Sequence, residues 1–124
     1  MNKFEVMASY IRASELLVSA APAGPGRDAW IDHALDVAVR LSSYVSTQRD
    51  EDERDLMEAA ILHAVLEDTT VTPEQIEAAT NARVRLWVET ITEPKAIPPK
   101  DQWLVKQRMY AAVPAYPDLL LIKL

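Results

Sequence analysis

Apolar residues recur along this chain at three- and four-residue spacing, and no stretch alternates with the two-residue period of a strand. The pattern predicts an all-α protein made of helices separated by short polar breaks. A first helix is expected over about residues 3–20, with Phe4, Met7, Ala8, Ile11, Leu16 and Val18 on its buried side. It must stop at Ala21-Pro22-Ala23-Gly24-Pro25-Gly26, where prolines and glycines crowd together. A second helix opens at Asp28 or Ala29 and runs to about Tyr44, burying Ile31, Leu35, Ala38 and Leu41. Asp50-Glu51-Asp52-Glu53 offers a capping acceptor with Glu three residues on, so a third helix starts there. That helix carries Leu56, Ala59, Ala60 and His63 inward and is expected to end near Glu67-Asp68.

Thr72-Pro73-Glu74-Gln75 is another start signal: Thr as cap, Pro in the first turn, Gln closing the capping box. A break near Thr80-Asn81 splits this region into two short helices, with Val84, Leu86, Trp87 and Ile91 on the later one. The segment 92–100 holds three prolines and two lysines and is expected to form a loop. Another helix is expected over about 101–112, and a last one from Pro117-Asp118. That last stretch, Leu119-Leu120-Leu121-Ile122-Lys123-Leu124, is strongly apolar and has no closing Gly or Asn. The expectation is one domain spanning 1–124 that is interrupted within its final helix.

Composition narrows the chemistry. The 124 residues suffice for a single core, and the absence of cysteine excludes both disulfides and thiolate metal sites. A metal here would need His and carboxylate ligands. The formal charge of −6 argues against nucleic acid as a partner. No signal core and no long apolar run occur, so no membrane span and a cytoplasmic location are expected.

Two segments carry a more specific reading. Ile61-Leu62-His63-Ala64-Val65-Leu66-Glu67-Asp68-Thr69 resembles the metal-site motif of HD-domain phosphohydrolases, whose His-Asp pair lies in the middle of a helix; Ala64 stands where that Asp would be. Trp30-Ile31-Asp32-His33-Ala34-Leu35-Asp36-Val37-Ala38 resembles the first-histidine helix of the same family, commonly Tyr-Ile-x-His-Pro-Leu-x-Val-Ala. Glu67-Asp68-Thr69 is similar to the acidic stretch of one subgroup, the guanosine tetraphosphate (alarmone) hydrolases of RelA/SpoT type and their small stand-alone relatives. Val88-Glu89-Thr90-Ile91-Thr92, the Pro/Lys loop and Leu120-Leu121-Ile122-Lys123-Leu124 continue the order of motifs, so the likeness covers about residues 30 to 124.

The resemblance implies an HD-type helical bundle and manganese-dependent removal of the 3′-pyrophosphate from guanosine tetra- or pentaphosphate. It also implies His33 and His63 as metal ligands, and Glu67 and Asp68 as the pair that orients or deprotonates the attacking water. The family's remaining ligands are the Asp replaced by Ala64 and an Asp that would fall two residues past Leu124. With two of four ligands kept, little or no Mn2+ binding and little or no hydrolysis are expected. Ala64 reads either as one replacement in an otherwise intact site or as the mark of a non-catalytic ligand-sensing or interaction domain. The subgroup's basic stretch before the first histidine helix is reduced here to Arg27, and Ala34 replaces the usual Pro. A different phosphorylated nucleotide is therefore the other enzymatic reading. Trp30 falls where the family often has Tyr near the pocket mouth, which allows base stacking as well as packing. Trp87 and Trp103 read as packing residues, and Lys95 and Lys100 as solvated loop lysines.

Overall fold

The computed structural model describes residues 2–43, 50–92, 101 and 122. Seven helices succeed one another among these residues: α1 (Lys3–Ser9), α2 (Ile11–Ala20), α3 (Arg27–Ser42), α4 (Asp50–Ile61), α5 (Val65–Asp68), α6 (Pro73–Ala79) and α7 (Ala82–Ile91). No strand occurs among the described residues, and the class is all-α. No helix among them is long and apolar enough to cross a membrane. The expected proline loop and the two expected helices after it lie outside the described residues, apart from Asp101 and Ile122, and Ile122 is buried in the core.

The core is built around α4. Leu56, Met57, Ala59, Ala60 and Ile61, and Leu62 just after them, are all essentially inaccessible, so the second half of this helix is apolar on nearly every side. Such a helix is stable only when surrounded. It is covered by α3 on one side and α7 on another, with α2 also against it. Leu35, Ala38 and Leu41 come from α3, Leu17 from α2, Ile76 from α6, and Val84, Trp87, Val88 and Ile91 from α7. The helix expected to run on to residue 68 ends instead at Ile61, and residues 62–64 form a turn before α5. The His63 side chain supplies the reason: its Nδ1 lies 2.7 Å from the Ala60 carbonyl oxygen, which also accepts the His63 backbone N–H. A side chain inserted into the carbonyl ladder in this way interrupts the helix.

The N-terminal segment departs further from expectation. Instead of one helix over 3–20 there are two, separated at Tyr10, whose φ of −123° and ψ of 58° are not helical. The break shifts the phase of the apolar stripe. Val6, Ala13 and Leu17 are buried, whereas Phe4 is 83% and Ile11 55% exposed, and Met7 and Ala8 also face solvent. Leu16 and Val18 are half-buried. Leu86 on α7, expected inside, is likewise exposed, because Val84, Trp87, Val88 and Ile91 define the other side of that helix.

The local signals between 72 and 82 act as their chemistry requires. Thr72 Oγ1 accepts the Gln75 N–H at 3.2 Å, and Gln75 Oε1 accepts the Thr72 N–H at 2.9 Å, closing a capping box with Pro73 in the first turn. After the break at Thr80, Asn81 Oδ1 accepts the Val84 N–H at 2.8 Å and starts α7. Thr72→Ala removes the side-chain half of the first cap and is expected to cost about 1 kcal/mol. Urea unfolding of the two proteins checks it, and an unchanged midpoint would show that α6 does not depend on its cap.

Candidate functional site

His33 lies on the exposed side of α3, and His63 lies in the buried turn after α4. The close packing of α3 on α4 brings them together: the imidazole centroids are 5.5 Å apart and the ring planes meet at 67°. These are the only two histidines of the chain, thirty positions apart. Two imidazoles holding one ion with nitrogens at about 2.1 Å and a near-tetrahedral angle would have centroids roughly 5 Å apart. The observed spacing is close to that, and edge-to-face packing of neutral rings also falls in this range.

The tautomer of His63 is set by its partner. A carbonyl oxygen only accepts, so Nδ1 donates to Ala60 and the neutral ring carries its lone pair on Nε2. Histidines that bind metals or phosphates are commonly held by such a bond on the other ring nitrogen. The same bond that ends α4 therefore orients the ring.

Ala64 comes next in the turn. It is half-buried, serves as the N-cap residue of α5, and provides no side-chain hydrogen bond. The break changes the expectation for Glu67. Its four-residue spacing from His63 would share a face on a continuous helix, but His63 lies in the turn and Glu67 in the separate helix α5. Asp68, the last residue of α5, points elsewhere: its Oδ2 accepts the Trp30 indole N–H at 2.9 Å. Trp30 precedes His33 by one turn of α3, so this bond is a second tie between α3 and the segment after α4, parallel to the histidine contact. Trp30 is half-buried against the core and pairs with the acidic residue, a role that its resemblance to a pocket-mouth tyrosine does not indicate. The nearest sequence signal is an amphipathic aromatic one turn before a candidate site histidine, since a partly buried indole N–H needs an acceptor.

The resembled family holds its ion with two His and two Asp. Among the described residues, no group of three or more His, Asp or Glu is arranged to hold a metal. The two imidazoles supply half of a donor set, and Ala64 supplies nothing beside them. The side chains present do not fit a resident four-ligand ion. They bring together two imidazoles, with His63 Nδ1 donating to Ala60, and an indole whose N–H is taken by Asp68.

Arg27 is also accounted for. Its Nη1 donates to the Ala21 carbonyl and its Nη2 to the Val18 carbonyl, both at 2.9 Å. The guanidinium thus satisfies carbonyls at the end of α2. The single basic residue at the position of the family's basic stretch is engaged in the fold.

One charged cluster gives no sign of itself in the sequence. Asp52 and Asp55 on α4 are buried, and Arg83 near the start of α7 reaches both: Nη1 is 2.7 Å from Asp52 Oδ1 and Nη2 2.6 Å from Asp55 Oδ2. Asn81 Nδ2 donates to Asp55 Oδ1 at 2.8 Å, and the guanidinium carbon lies 4.9 Å from the Trp87 ring centroid. The cluster ties α4 to α7 and is structural in character. Compared with family models, curated proteins and solved structures, the chain matches none of them.

Proposed function

We propose that this chain is an HD-type domain of the alarmone-hydrolase kind that recognises guanosine polyphosphate without hydrolysing it. The parent activity, on this reading, is metal-dependent removal of the 3′-pyrophosphate. The observation that carries the proposal is the meeting of the chain's two histidines across thirty residues, at a separation two ligands of one ion would have. Ala64 beside His63 motivates the loss of turnover, since an alkyl side chain neither coordinates an ion nor accepts a proton. A phosphorylated ligand would then meet the His33 and His63 rings and the face of Trp30.

The test is calorimetric titration of guanosine tetraphosphate, with and without added manganese, alongside a chromatographic assay for released pyrophosphate. Saturable binding without pyrophosphate release is expected, and His63→Ala should weaken it at least about tenfold. Absence of binding under both conditions would sink the recognition half of the reading. Steady pyrophosphate release would sink the claim of lost turnover and leave the family reading standing.

The engagement of Arg27 favours a second reading, in which the ligand is another phosphorylated nucleotide. Running the same titrations with adenosine and other guanosine nucleotides separates the two.

A further inference from the structure

Arg12 of α2, Arg54 and Glu58 of α4, Ala79 at the end of α6, and Thr80 and Asn81 before α7 line a pocket of about 320 Å³ that includes neither histidine. That volume is at the small end for ligand sites. The polar groups of the α6–α7 junction are already engaged. Thr80 Oγ1 donates to the Ile76 carbonyl, while Asn81 accepts from the Val84 N–H and donates to Asp55. The three charged side chains remain to set the chemistry of the pocket.

Those charges act on one another only at a distance, without a direct ion pair among the three. Among the described residues Glu58 makes no hydrogen bond or direct ion pair, although it is half-buried, and Arg12 has no ion-pair partner either. Arg54 approaches Asp55 only at 3.8 Å, and both Asp55 oxygens are already held by Asn81 and Arg83. A half-buried carboxylate without a donor is an unfavourable arrangement. Burial raises the Glu58 pKa, the Asp55 carboxylate raises it further, and Arg54 and Arg12 only partly oppose this. Tyr10, with Glu53 nearby, borders the same carboxylate. The pocket therefore presents two guanidiniums and one carboxylate that, among the described residues, make no hydrogen bond to one another, and Arg54 has only the long contact with Asp55.

We propose that this pocket binds a small zwitterion with the head group of a free α-amino acid, its carboxylate on Arg12 and Arg54 and its ammonium on Glu58. A phosphate would suit the arginines but meet Glu58, and a simple cation would suit Glu58 but meet two guanidiniums. A ligand with both charges on neighbouring atoms answers all three residues. The site is independent of the histidine pair, so it stands or falls apart from the proposed nucleotide recognition.

The experiment is an NMR titration of the full chain with each of the twenty free amino acids, tracking backbone amides and the Glu58 side-chain carboxyl. At least one amino acid is expected to saturate shifts around Arg12, Arg54 and Glu58 below about 10 mM and to lower the Glu58 titration midpoint. Its N-acetyl and carboxamide derivatives, each lacking one charge, should bind at least about tenfold more weakly. Arg12→Gln, at an exposed helix position, should do the same with an otherwise unchanged spectrum. Failure of every amino acid to saturate, equal binding of the derivatives, or indifference to Arg12→Gln would each overturn the assignment, and so would tighter binding of inorganic phosphate than of any amino acid. The derivatives keep the test decisive even if Glu58→Gln, the complementary variant, fails to fold.

Discussion

Replacing Ala64 with aspartate is expected to tighten manganese binding by more than about 100-fold. Changes outside the coordination sphere already alter metal affinity by about 10–100-fold, and a restored direct ligand should exceed that. The fold is prepared for the substitution. Position 64 is half-buried in the turn between α4 and α5, directly after His63. The neighbouring His63 ring is already oriented through Nδ1, and His33 is already beside it. The new carboxylate would be the third donor. Paramagnetic resonance of free Mn2+ during titration measures the change, and Ala64→Asp combined with His33→Ala should lose it again. Equal affinity in the parent and Ala64→Asp proteins would mean that the turn does not present position 64 to the histidines, which would remove the support for an HD-type centre. Tight binding with no release of pyrophosphate from guanosine tetraphosphate would keep the centre and point to another nucleotide.

Where local chemistry dominates, the sequence is a close guide to the structure. The α6 start at Thr72-Pro73 and the α7 start at Asn81 depend on caps within three residues, and both lie where they are expected. The face of α3 is legible because its apolar positions keep phase over sixteen residues. The first twenty residues are not legible in the same way. Phe4, Met7 and Ile11 form a stripe only if the helix is continuous, and the non-helical Tyr10 removes that premise. The site shows a similar division. His33 and His63, paired by the resemblance alone, lie with ring centroids 5.5 Å apart, a contact that periodicity does not imply. The end of α4 at Ile61 and the Trp30–Asp68 bond arise from side-chain hydrogen bonds that periodicity does not encode.

The least visible feature is the buried charge between α4 and α7, and the second large effect is expected there. A formal charge at residues 52 and 55 reads as a solvated helix start, yet Asp55 is 3% exposed and accepts from Arg83 and Asn81 through different oxygens. Asp55→Ala removes one of the two carboxylates that hold the Arg83 guanidinium and takes the acceptor from the Asn81 amide. Removing one partner of a buried pair typically costs about 3–5 kcal/mol. Because Arg83 is itself a third exposed and keeps Asp52, the lower value of about 3 kcal/mol is expected. A domain of this size has a total stability of roughly 5–15 kcal/mol, so the loss would be a large part of it. Asp55→Asn, which keeps an acceptor for Asn81 but not the charge, should lose about half as much. Urea unfolding reports the loss, and fluorescence in a Trp30→Phe, Trp103→Phe background, where Trp87 alone emits, places it at the α4–α7 contact, since the Arg83 guanidinium lies over that ring. A double-mutant cycle between Asp55 and Arg83 isolates their coupling. If Asp55→Ala cost less than about 1 kcal/mol, the cluster would be no stronger than a surface ion pair, and the apolar contacts of Val84, Val88 and Ile91 would be what holds α7 to α4.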